Sequence, residues 1–296
     1  MTIPGSALPA CISGLLLAAS VSRVTAAEAG AWETMSTLAN SDAWTVYDYA
    51  DDGSYFPDWA GDVAGEEYSF FFHTGDDPLW FFADTLGNPG NGKLLGNYAV
   101  EKVQAILADV LIASLPDFSD VECVVFASGP AGRTHYFSPS YYNVDFATEG
   151  WYSLRFPFDE PWFFFNGTGF QAVPVTAGLL ATIEEIGFRF WPKEGVVRDV
   201  AAAIDNVKLE PLVESPALAV SATGNEFRLA FTPFKATSCL IEKLEPASPF
   251  SWEKVAGQTS ITGTTEHVFT TPLSGRSGIF RVQSAANYTP FVTPAP

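Results

Sequence analysis

Apolar residues along this chain recur at every second position in short runs, the period of a β-strand with one buried face. "EYSFFFHTG", "LWFFADTLGN", "DVECVVFAS", "GWYSLRFPF", "PWFFFNG" and "IGFRFWP" are such runs. Turn clusters such as Asp76-Asp77-Pro78 and "NPGNGKLLGN" separate them. Residues 103–115, "VQAILADVLIASL", place Ile106, Ala108, Val110 and Ile112 on one side and suit a strand; the same apolar density also suits a short helix. "TAGLLATIEE" (176–185) is the best helix candidate, at one or two turns. "IDNVKLEP" closes the series. Short strands at this spacing predict a β-sandwich over residues 28–212.

A Pro-containing joint, "EPLVESPA" (210–217), precedes a second set of strands: "LAVSA", "EFRLAF", "SCLIEKLE", "SWEKVA", "EHVFT" and "GIFRVQ". So many strands in residues 213–284 suit a small immunoglobulin- or fibronectin-like sandwich. Residues 285–296, ending "NYTPFVTPAP", read as a Pro-rich tail. At the other end, "CISGLLLAASVS" (11–22) is an apolar segment followed by small residues around Ala26 and Ala27. It predicts an export signal over residues 1–27, although no Lys or Arg precedes it. No later run is long and apolar enough to span a bilayer, so a secreted, extracellular protein is expected.

Charge narrows the partners. Against 15 basic residues stand 34 acidic ones, for a net charge of −19. That excludes the basic patch nucleic acid requires and disfavours anionic membranes; cations and neutral or cationic ligands fit. Cys123 and Cys239 fall mid-strand in different units, so two buried free thiols are expected, and no Cys-x-x-Cys suggests zinc.

No G-x-S-x-G, H-E-x-x-H or phosphate-binding loop is present, nor an E-x-D-x-x-E strand. Asp159 and Glu160 are sequence neighbours and would point to opposite sides of a strand, a poor acid/nucleophile pair. His73, His135 and His267 lie in three separate strands. Arg133, His135 and Tyr136 of "GRTHYF" could serve a lyase, which is the weakest of the readings. Aromatics in or beside loops offer rings for stacking on sugars: Tyr55, Trp59, Tyr141, Tyr142 and Trp162. Trp151, Phe156, Phe158, Phe188 and Phe190 alternate within strands and read as core.

Residues 87–126 contain Gly96-Asn97-Tyr98 feeding a long strand with Val103 and Asp109. With "GWYSLRFPFDEPW" and the closing "IDNVKL", this pattern resembles the laminin-B-like and carbohydrate-binding jelly-roll sandwiches of secreted bacterial proteins. Residues 217–283 resemble the small C-terminal sandwich of exported Verrucomicrobia and Planctomycetes proteins. The matching positions are Phe227, Leu229, Phe231, Ile241, Glu242, Trp252, Val255, Phe280, Arg281 and Val282. These resemblances imply an all-β chain: a jelly-roll, galactose-binding-like sandwich plus the small immunoglobulin/fibronectin-like one. They imply a non-catalytic binding protein for a glycan or other extracellular polymer, the alternative being a structural or adhesive spacer, with a hydrolase or lyase least favoured.

Such modules often hold a structural calcium where early loops meet the last strand. Asp51, Asp52, Asp58, Asp62, Asp76 and Asp77 could supply oxygens, and Asp51 or Asp52 with Asp205 and Asn206 is the preferred set. Asp205 also poses a packing question. The alternation that buries Val207 and Leu209 carries back to Asp205, where a carboxylate would be costly. A loop entering the strand near Ala203 would instead put Asp205 at the sheet rim.

Overall fold

The computed structural model describes residues 27–49, 52–60, 68–74, 77–84, 93–196, 199–214, 216–245, 251–272 and 279–291. Residues 1–26 of the expected export signal, and Asp51, Asp62 and Asp76, lie outside the described residues. Among the described residues, no helix is long and apolar enough to cross a membrane.

The chain is all-β, with a large jelly-roll sandwich and a small immunoglobulin-like one. One seven-stranded sheet centres on β15 (Asp199–Pro211) and β7 (Val103–Ile112). β11 (Gly150–Pro157) flanks β7, while β1 (Ala31–Glu33) and β5 (Ser69–Thr74) share the other edge of β15, with β4 (Asp58–Trp59) beyond β5. The ambiguous segment at 103–115 is therefore strand. One face of this strand packs on the core, so its alternate residues Ile106, Ala108, Val110 and Ile112 are buried.

The second sheet has nine strands. Its centre is β8 (Phe118–Gly129) and β14 (Ile183–Pro192). On one side follow β6 (Leu79–Asp84), β2 (Thr45–Asp48) and β3 (Gly53–Tyr55). On the other follow β9 (Gly132–Phe137), β12 (Trp162–Phe165) and β13 (Phe170–Val173), and β10 (Tyr141–Tyr142) pairs with the start of β8. Its inner face sends Val46, Phe81, Cys123, Val125, Ile186 and Phe188 into the core opposite the first sheet. Among the described residues, three one-turn helices, α1 (Leu38–Ser41), α2 (Tyr98–Glu101) and α3 (Ala177–Leu180), lie in the connections. α3 takes up only the first half of the expected helical segment 176–185, since Ile183 onward is β14; the Thr176 hydroxyl caps it by accepting from the Leu179 N–H.

Asp205 is neither buried nor at a rim. It lies mid-strand opposite Asp109, and the register to β7 slips between Asp205 and Lys208, a β-bulge. The bulge carries Asn206 at φ 51, in the left-handed region where Asn is one of the few tolerated side chains. One extra residue changes the phase. The inward row runs Ala202, Ile204, then Val207 and Leu209, so Asp205 turns outward and is half-buried. The Asn206 amide bridges the two facing carboxylates, donating to Asp109 (2.9 Å) and Asp205 (2.8 Å). Its Oδ1 accepts from the Trp32 indole (2.8 Å). Like charges directly opposite would otherwise repel.

Six further strands make the small sandwich. β17 (Glu226–Phe231) pairs with β16 (Ala219–Thr223) and β20 (His267–Pro272). β18 (Thr237–Glu245) pairs with β19 (Ser251–Lys254) and β21 (Phe280–Ala286). Leu229, Phe231, Cys239, Ile241 and Ile261 form its own core. Cys123 and Cys239 are buried free thiols.

The segment expected as a Pro-rich tail contributes structure instead. β22 (Thr289–Phe291) pairs in parallel with β1 and so returns the chain to the large sandwich. Gly30, at φ +79, makes the approach possible: a Cβ there would stand 2.6 Å from the Asn287 carbonyl oxygen. Half-buried Tyr288 lies over Lys208, and desolvation pushes its phenol up to about 12, with Glu210 adding to the effect and Arg155 opposing it.

Candidate functional site: an aromatic cleft on the nine-stranded sheet

The outward face of the nine-stranded sheet is unusually apolar. Cross-strand register sets the rows, since residues directly opposite share a face. One row runs Phe82, Gly187, Val124, Phe137, Phe163 and Ala172 across six strands. The adjacent row carries Tyr47, Trp80, Arg189 and Glu122. Gly187 is required here, because a Cβ would meet the Trp80 indole nitrogen at 2.4 Å and the Phe81 carbonyl oxygen at 2.6 Å.

A cleft of about 480 Å³ opens on this face. Its rings are Phe137, Tyr142, Phe163, Phe170 and Trp191; its charged groups are Asp120, Glu122 and Arg189. Phe170 comes from the β12–β13 hairpin and meets Phe137 edge-on at 5.3 Å. The hairpin turn is fixed by the Asn166 Oδ1, which accepts from the Thr168 and Gly169 N–H groups.

The floor is an ion pair. Glu122 and Arg189 are 7% and 8% exposed, unusual for such residues without partners. The Arg189 guanidinium donates twice to Glu122 Oε1, through Nε at 2.7 Å and through Nη2, and the Trp191 indole adds a third bond at 3.1 Å. Phe137 and Trp191 stack on the guanidinium at 4.4 and 4.8 Å, and the Tyr49 phenol hydrogen-bonds it. Desolvation raises the Glu122 carboxyl against the lowering pull of Arg189 and Trp191. Asp120 differs. Burial raises its carboxyl too, but its hydrogen-bond partners are hydroxyls, Ser119 at 2.9 Å and Ser140.

The five expected stacking residues do not converge. Tyr142, 55% exposed, lines the cleft. Trp162 is fully buried, its indole donating to the Pro157 carbonyl (2.8 Å), so it cannot meet a ligand. Tyr141 is half-buried, its hydroxyl held by the Arg155 carbonyl (2.7 Å). Tyr55 ends β3 and stacks on Phe71, and Trp59 at the edge of the other sheet donates to the Met35 carbonyl (2.9 Å). Of the five residues expected in the core, Trp151 is exposed and packs on Tyr68; Phe156, Phe158, Phe188 and Phe190 are buried.

Of the expected calcium set, Asp51 lies outside the described residues. Asp52 sits at the β2–β3 hairpin of the nine-stranded sheet, accepting from Tyr47, whereas Asp205 and Asn206 belong to the other sheet. Among the described residues, no group of three or more His, Cys, Asp or Glu side chains is placed to hold a metal ion. In "GRTHYF", Tyr136 is buried and bonded to the Gly132 carbonyl, while Arg133 and His135 share the outer face, Arg133 paired with Glu184 and lying over the Phe126 ring and His135 3.3 Å from Glu185.

No family model and no curated protein sequence matches the chain. Among solved structures it is similar to a β-1,2-glucanase from Parabacteroides distasonis (10% identity, TM-score 0.35, 90% of this chain and 39% of that one). It is similar to a carbohydrate-binding module of the β-sandwich superfamily (9% identity, TM-score 0.38, 62% of each chain). A third is the Endo-D glycoside hydrolase domain from Streptococcus pneumoniae R6 (12% identity, TM-score 0.29, 82% and 37%). The chain thus spans less than two thirds of the length of each. Likenesses this distant assign no activity.

Proposed function

We propose that the protein binds a glycan, without cleaving it, in the aromatic cleft on the outer face of the nine-stranded sheet. The cleft itself carries the reading: five rings and the Asp120 carboxylate, held by the Ser119 and Ser140 hydroxyls, around about 480 Å³. Sugar C–H faces pack on aromatic rings, while carboxylates and hydroxyls read the sugar hydroxyls. Strand backbone holds the rings Phe137, Phe163 and Phe170, so little ordering is left to binding.

Asp120 and Glu122 face the same cleft from one strand, an arrangement a glycoside hydrolase could use. The clamp on Glu122 argues against it. Its Oε1 accepts from Arg189 and Trp191, so the group acts as scaffold for the floor rather than as a mobile acid. A glycan array tests the proposal. Retention that Tyr142→Ala weakens, with no reducing-sugar release, is expected; no retained glycan overturns it, and the spacer reading then takes its place.

A further inference from the structure

The charge balance around the cleft narrows the ligand class, on the premise that the cleft binds a glycan. Its one guanidinium is spent. Arg189 bonds Glu122 and Tyr49 and is covered by two rings, so it offers no free cation to a uronate or sulfate. Asp120 is a second carboxylate against that single guanidinium: half-buried in the wall, it takes its hydrogen bonds from the Ser119 and Ser140 hydroxyls and meets Arg189 only as a nearby charge.

A second cleft, of about 490 Å³, shares Pro139 and Ser140 with the first as a common wall. The same logic repeats there. Arg155 donates to Glu210 at 2.8 Å, while Asp145, whose Oδ2 accepts from the Tyr142 N–H (2.7 Å), and Glu160 line the space. Tyr141 and Tyr152 supply rings. Each cleft therefore neutralises its own arginine and retains surplus carboxylate beside aromatics, the combination that recognises ammonium groups. The net charge of −19 draws cations toward both.

We infer that the two adjoining clefts take consecutive units of a glycan bearing free amino groups, a polymer of amino sugars in the ammonium form. Asp120 receives the ammonium in the first cleft, and Asp145 or Glu160 in the second. Hydroxyl donors such as Ser119 and Ser140 can rotate away from Asp120 to admit it.

Calorimetric titration with glucosamine oligomers and their fully N-acetylated counterparts of equal length, just below neutral pH, tests this. The amine form should bind about tenfold or more tightly, as expected for one charge-assisted hydrogen bond gained. Added salt should weaken it. Asp120→Asn should weaken the amine form more than the acetylated one and so reduce the preference; the wild-type comparison stands even if that variant misfolds. Equal or tighter binding of the acetylated form, or binding confined to hexose polymers without amines, overturns the inference and leaves glycan binding intact. Failure to bind any glycan overturns both.

Discussion

Removing Glu122 should be far more damaging than removing the whole ion pair it belongs to. In Glu122→Ala, Arg189 stays 8% exposed in the wild-type geometry and loses both of its bonds to Glu122, and the Trp191 indole loses its acceptor. Tyr49 and two ring faces remain as its partners. Breaking a buried pair from one side costs about 3–5 kcal/mol, because the surviving charge is uncompensated. Glu122→Leu combined with Arg189→Met removes both charges and keeps volume, so it should fall within about 1–2 kcal/mol of the parent. Urea unfolding followed by tryptophan fluorescence reads the midpoint, with an unchanged slope confirming that only stability moved. A single variant within about 1 kcal/mol of wild type would refute the reasoning, as would a double variant no better than the single. The first result would mean the pair is solvated, and the second that its geometry contributes more than its charge.

Other expectations follow from the same contacts. Tyr142→Ala should weaken glycan retention while shifting stability by less than about 0.5 kcal/mol, whereas Trp162→Ala should cost about 3–5 kcal/mol through the core; chemical denaturation beside affinity electrophoresis separates the two. Burial raises the Asp120 carboxyl above its ordinary value of 3.8. The fold then binds more protons than the unfolded chain in that window, so wild type should gain stability relative to Asp120→Asn as pH falls from above the raised value toward 3.8. A wild-type-to-variant gap independent of pH would contradict that origin. Asn206→Ala should cost about 2–4 kcal/mol from lost bonds and left-handed strain, and Asn206→Gly about 1 kcal/mol less, since glycine escapes the strain. Equal melting temperatures for the two would argue that the bulge conformation is not strained.

Strand content was legible because alternation is strong: Ile106 to Ile112 and Phe188 to Phe190 bury as their period demands. The site was not. "LWFFADT" and "PWFFFNG" are aromatic at odd and even positions alike, so a period of two cannot say which face is core and which is outward. Spacing along the chain therefore does not single out Phe137, Phe163 and Phe170, and loop aromatics drew the functional reading. A better signal lay in the charges. Glu122 between Val121 and Cys123, and Arg189 between Phe188 and Phe190, mark the outward positions of two otherwise apolar strands. Partners across β8 and β14 are a matter of register, which sequence spacing leaves open. Asp205 misled for a related reason: a single-residue bulge reverses the phase of everything before it.

The central claim is that the ligand lies on the outer face of the nine-stranded sheet and not on the loops. Fluorine NMR of 5-fluorotryptophan-labelled protein, titrated with a glycan it retains, reads this directly. Trp191 lines the cleft, Trp162 is sealed in the core, and Trp59 sits on the opposite sheet. The resonance of Trp191 should move with saturating ligand while those of Trp59 and Trp162 stay in place. A shift confined to Trp59, with Trp191 unmoved, would contradict the account.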